Sequence, residues 1–134
     1  MSLDNRLETY DCQGSMTSNV IIAFINDFCQ KLTQPSVLVL DNAPIHHSNA
    51  FKQKIEEWQE QDLYIFFLPT YSPHLNPIEI LWRKIKYEWL QYENINTEEQ
   101  LEKELFEILN TLGDQYNINF KDIKEDKKVS NIFV

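Results

Sequence analysis

Two carboxylates in this sequence stand where a carboxylate is able to do chemistry. Asp41 directly follows the apolar run Val37, Leu38, Val39 and Leu40, and Glu79 lies 38 positions downstream, three residues after Asn76. Carboxylate oxygens are hard donors of the kind that hold Mg2+ or Mn2+. Both residues also have ordinary structural roles: an Asp at a strand end is a common turn former, and Asn76-x-x-Glu79 is a variant capping box that satisfies helix N-terminal amides. His46, five residues after Asp41, suits orienting a carboxylate or contacting a phosphate better than ligating a hard cation. Asn42 is placed to hydrogen-bond Asp41 or to serve simple turn chemistry, and His47 and His74 have no spacing that makes a transition-metal site with His46.

The elements that must position these residues are legible from periodicity and punctuation. Val37 to Leu40 is continuous and β-branched, as in a strand buried on both faces, and it places Asp41 at a strand's C-terminal end. Before it, Thr17 or Ser18 caps a helix in which Val20, Ile21, Phe24, Ile25, Phe28 and Leu32 recur at helical spacing until Pro35. Ser48 caps a second helix with Phe51, Ile55 and Trp58 on one face, and residues 63–68 (LYIFFL) read as a second buried strand. Asn76 followed by Pro77 starts a third helix, whose inward face takes Ile78, Leu81 or Trp82, Ile85 and Trp89. Arg83, Lys84 and Lys86 fall mostly on its other side, a solvated face or a DNA contact. Trp58, Trp82 and Trp89 read as core before base-stacking platforms. Thr97 and Gln100 form a capping box for a last helix that Gly113 stops. Residues 6–13 alternate weakly and end at Gly14, which predicts a short edge strand. The order is therefore β, α, β, α, β, followed by two helices.

Two segments carry a resemblance: LDNAPIHHS at residues 40–48 and LPTYSPHLNPIEILWRKIK at residues 68–86. They resemble the DDE catalytic domain of mariner-like and related bacterial insertion-sequence transposases. In that family a D-N-A-x-x-H segment opens on the second catalytic Asp, matching Asp41, Asn42, Ala43 and His46, and S-P-x-L-N-P-I-E closes on the third carboxylate, matching Glu79. Thr70 stands where the family often has proline, and His74 where Asp is common. The resemblance covers roughly residues 4–112, a partial catalytic domain, and leaves residues 113–134 as a charged tail.

The resemblance implies an α/β fold of the ribonuclease H-like type: a mixed sheet with flanking helices that brings three carboxylates around two Mg2+ or Mn2+ ions. Two ions about 3.5 to 4 Å apart clamp the attacking and leaving oxygens of a phosphodiester displacement. It further implies Asp41 and Glu79 as catalytic metal ligands, Asn42 and His46 in support, and Arg83, Lys84 and Lys86 toward DNA. The partners it implies are transposon-end and target DNA, with a homo-oligomer as the working form. The family's first Asp ends a central strand upstream, and neither Asp4 nor Asp11 follows an apolar run. The reading is thus of a domain truncated at its N-terminus, with Met1, Ser2 and Leu3 as a leader, unable to cut DNA alone. The strand ending at Asp41 should then seek a neighbour, either in another copy or in residues 6–13.

Composition bounds these expectations. The chain has 134 residues, 43% hydrophobic and 13% aromatic, enough for one compact domain. Lys and Arg number 12 against 21 Asp and Glu, a net charge of −9, which disfavours tight DNA binding by this segment alone. Cys12 and Cys29 lack metal spacing and read as reduced thiols in a cytoplasmic protein. No run approaches the roughly 18 to 20 apolar residues of a membrane span. The rival to a transposase is a decayed or stand-alone α/β module acting only by protein association.

Overall fold

The computed structural model describes residues 1–70, 72, 75–120 and the backbone of 131–133. Expectations for Pro73 and His74, and for residues 121–130 and 134 of the tail, lie outside the described residues. Helix α1 spans Ser18–Gln30, strand β1 Ser36–Leu40, α2 Asn49–Glu60, β2 Leu63–Phe67, α3 Pro77–Lys84, α4 Glu98–Asn110 and β3 Asn131–Phe133.

The sheet has the order β2-β1-β3, and both pairings are parallel. The expected mixed sheet is therefore not what the described strands form. Residues 6–13 make no strand. Side chains fasten them to α1 instead: Tyr10 stacks on Phe24 at 4.8 Å and donates its hydroxyl to Asp27 at 2.9 Å, and Glu8 pairs with Lys31. The second edge of β1 is taken by β3, in register from Val37↔Asn131 to Val39↔Phe133.

β1 is central and buried on both sides, as its composition predicts. Leu38 and Leu40 face a core with Ile22, Ile25 and Cys29 of α1, Phe51 and Trp58 of α2 and Leu63. Val37 and Val39 pack with Leu68 on the opposite face. α1 therefore buries the stripe Ile22, Ile25, Cys29, rotated from the expected one, and Phe24 turns toward a cleft instead. β2 departs more. Leu63 is fully buried, but Tyr64 is 43% and Phe66 54% exposed, because among the described residues β2 lies at the sheet's edge and its second face has no helix over it. Cys12 and Cys29 are both free thiols, and burial pushes the Cys29 thiol up.

Helix starts follow local chemistry. Thr17 accepts from the Val20 amide, Ser48 from Phe51, Asn76 from Ile78 and Thr97 from Gln100. Gln100 returns its amide oxygen to the Asn96 N–H at 2.8 Å, one residue beyond the box geometry expected. α3 widens at its end into a π turn, Ile85–Trp89. Leu81, Ile85 and Ile108 form a second core with Met1, Ile118 and Phe120. Packing thus continues past Gly113, whose φ of 96° suits a residue without Cβ. Asn5 bridges to Ile118 through two hydrogen bonds of 3.0 and 2.8 Å.

Candidate active site

Asp41 emerges from β1 immediately after the fully buried Leu40, so the strand fixes where its backbone stands. Its Oδ1 accepts from the Ala43 amide at 3.1 Å, the Asx turn expected of an Asp at a strand end. The same oxygen lies 3.1 Å from His46 Nδ1, which is also 3.2 Å from the Asp41 carbonyl. The imidazole is buried against Phe51, ring centres 5.6 Å apart, on a short 3-10 turn, Pro44–His47. Its place is to hold Asp41. The Asp41 side chain stays 56% exposed, with Oδ2 turned to no described partner.

Asn42 does not bond to Asp41. Its amide donates to the Leu68 carbonyl at 2.6 Å, and its oxygen lies 3.0 Å from His47 Nε2. The effect is to lash the end of β1 to the residue after β2, which fixes the platform from which Asp41 projects. His47 rests on Phe67 at 4.8 Å, so it too serves packing.

Glu79 enters through α3. The buried Asn76 caps the helix through Ile78 at 3.4 Å, Pro77 occupies the first turn, and the Glu79 amide bonds the Asn76 carbonyl at 3.0 Å. Among the described residues the Glu79 carboxylate itself takes no hydrogen bond or ion pair, so the capping-box role for that side chain is not realised. Glu79 is exposed and, with Asp41 and His46, borders one cleft of about 770 Å³.

The cleft lies between the sheet's core and the core of α3 and α4. Its walls are largely apolar, with Phe24, Phe28, Leu38, Leu81 and Leu105 among them, and Glu8 and Asp11 add acidity. Tyr10 is on the same wall; burial first, then its bond to Asp27, pushes its hydroxyl up to about 12. Asp4 lies outside the cleft, paired with Arg6 at 2.7 Å. Among the described residues no three His, Cys, Asp or Glu side chains draw close enough to hold one metal ion. Asp41 and Glu79 are nonetheless the right chemistry for a divalent cation: hard, exposed oxygens with open coordination positions.

Of the residues expected to meet DNA, Lys84 is occupied by Glu88 at 2.6 Å, while Arg83 and Lys86 are exposed. Trp82 reverses its expected place in the core: it is 46% exposed and lines the cleft, with Leu81 fully buried in its stead. No curated protein and no solved structure matches the chain. Residues 1–102, a span that includes both Asp41 and Glu79, match the family model described as DDE superfamily endonuclease. With three quarters of its length matched by that model and two carboxylates facing one cleft, the chain belongs to the DDE superfamily of endonucleases.

Proposed function

We propose that Asp41 and Glu79 are two of three carboxylates in a transposase site that cleaves DNA strands at a transposon end and transfers them to target DNA. The single observation that carries this reading is the opening of both side chains, 38 positions apart, onto one cleft with oxygens free to take a cation. They would hold Mg2+ or Mn2+, which supplies Lewis-acid stabilisation of the oxygens at a phosphodiester. The chain's own part is positional: β1 sets Asp41, His46 orients its carboxylate, Asn42 locks the strand ends, and α3 presents Glu79 across the cleft.

The two motif segments favour the mariner-like and insertion-sequence branch of the superfamily. In this reading Asp4, paired with Arg6, is not the first carboxylate of the set, and Asp11, though it lines the cleft, forms no three-residue metal cluster with Asp41 and Glu79 among the described residues. The chain by itself then does not turn over DNA, and the working protein is a homo-oligomer on DNA in the cytoplasm.

Titration with Mn2+, followed by amide resonance broadening, tests the site. Weak binding centred on Asp41 and Glu79, and lost in both Asp41→Asn and Glu79→Gln, is the expected result. Broadening that ignores both substitutions would overturn the metal assignment. Cleavage of a transposon-end duplex by this chain with Mg2+ would overturn its inactivity. A second reading, a stand-alone module acting by protein association, draws on the exposure of Tyr64 and Phe66 along an uncharged edge strand. A light-scattering mass of one chain at high concentration counts against it.

A further inference from the structure

The side of α3 that carries Glu79 continues into a row of side chains that metal binding does not explain. Glu79, Trp82, Arg83 and Lys86 fall at i, i+3, i+4 and i+7, so they share one side of the helix and of the π turn that extends it. Leu81 and Ile85 are buried on the other side. Trp82 is nearly half exposed and lines the same cleft as Asp41 and Glu79. Among the described residues Arg83 makes no ion pair. The Lys86 ammonium rests 5.1 Å from the centre of the Tyr87 ring rather than on a carboxylate. Two cations that make no ion pair among the described residues thus lie beside an exposed indole, in a chain of net charge −9.

We propose that Trp82 is a stacking platform for one unpaired nucleobase of single-stranded DNA, with Arg83 and Lys86 taking the phosphates on either side of that base. This rests on the reading of Asp41 and Glu79 as a DNA-cleaving site, beside which it places the unpaired nucleotide. An indole offers the largest aromatic face among side chains, and stacking on it tolerates any base, because every base has a π face. A base reaches such a face only when it leaves the duplex, so the row selects single-stranded or melted ends over paired ones. The chain's net charge of −9 disfavours phosphate contact along a longer stretch of DNA.

The test uses the chain as it is, at low salt and without divalent cation. The probe is a short single-stranded oligodeoxynucleotide carrying a central 2-aminopurine. Binding should quench the probe, and a blunt duplex of the same sequence should bind more weakly. Trp82→Ala should weaken binding about tenfold or more, with most of the affinity recovered in Trp82→Phe. Arg83→Gln combined with Lys86→Gln should flatten the log–log salt dependence by about 1.4. Trp82 is exposed, so these variants should keep the wild-type circular dichroism, and the Phe variant controls for packing. Equal affinity in wild type and Trp82→Ala, equal binding of duplex and single strand, or no binding by the wild type would each overturn the proposal. The Mn2+ titration is a separate readout. Trp82-dependent binding without metal affinity removes the cleavage reading and leaves this one standing, and the converse removes only this one.

Discussion

Asp41 leaves a strand whose last residue is fully buried, and it is fastened at once by the Ala43 amide and the His46 imidazole. Glu79 projects from the first turn of an eight-residue helix, and among the described residues its carboxylate makes no hydrogen bond or ion pair. The two sides of the cleft thus hold their carboxylates differently. Around Asp41 lies a core of large, fully buried side chains, Leu40, Phe51, Trp58 and Leu63, braced by hydrogen bonds across the strand ends. Around Glu79 fewer side chains are fully buried, and aromatic surface is left in solvent at Trp82, Tyr87 and Phe106. One side holds its carboxylate through hydrogen bonds, while on the other no hydrogen bond or ion pair among the described residues holds it. Under the proposed function, a site that takes a cation and a nucleic-acid strand would have use for both.

The largest effects should come from breaking the cores themselves. Trp58 is fully buried, meets Phe51 edge-on at 5.0 Å and donates its indole N–H to Asn26 at 2.7 Å. Trp58→Ala should cost about 3 to 5 kcal/mol in urea unfolding, and Leu81→Ala in the other core about 2 to 5 kcal/mol. If both sides belong to one cooperative unit, each variant shifts a single transition. Two transitions, with Leu81→Ala moving only one, would show that the halves fold separately and that the cleft is a boundary between them.

The contrast between the two sides also separates what the sequence made legible from what it did not. Thr17, Ser48, Asn76 with Pro77, and Thr97 announced four helix starts, because a cap acts over three residues and needs no tertiary partner. The approach of β1 to Asp41 was legible for the same reason: an apolar, β-branched run ends on a polar residue. The exposure of Tyr64 and Phe66 is not legible because LYIFFL has the composition of a buried strand, and whether a helix covers its second face is decided elsewhere in the chain. Trp82 was open between two faces. Periodicity allowed Leu81 or Trp82 inward, and only the packing of Leu81 with Ile85 and Ile108 settles the choice. Strand β3 is three residues long and carries no period to detect, so the neighbour of β1 was sought in residues 6–13.

A smaller effect should distinguish the fastened carboxylate from the free one. His46→Ala removes the imidazole from Asp41 Oδ1 and leaves a void beside Phe51. It should cost about 1 to 3 kcal/mol of stability and weaken Mn2+ binding as well, because Asp41 then has to be ordered by the ion. Glu79→Gln should abolish Mn2+ broadening while leaving stability within about 0.5 kcal/mol, since the carboxylate supports nothing in the fold. Chemical denaturation and metal titration of the two variants make the comparison directly. A destabilised Glu79→Gln would mean that this side is braced after all.

The smallest effect concerns pH and belongs to the α3 side. Met1 is packed with Leu81, Ile85 and Ile108, and burial pushes its amino group down to about 6, with Glu8 opposing that shift. The folded chain therefore releases this proton at a lower pH than the unfolded chain, whose amine titrates at its ordinary value of 8.0. Between those values the unfolded state binds more protons, so stability should rise with pH, by on the order of 1 to 2 kcal/mol in total. To isolate the amine, the free chain must be compared with one acetylated at Met1. Acetylation should remove this part of the pH dependence and leave the rest. Parallel curves for the two chains would show that the amine is solvated in the fold, and that the α3 core closes without it.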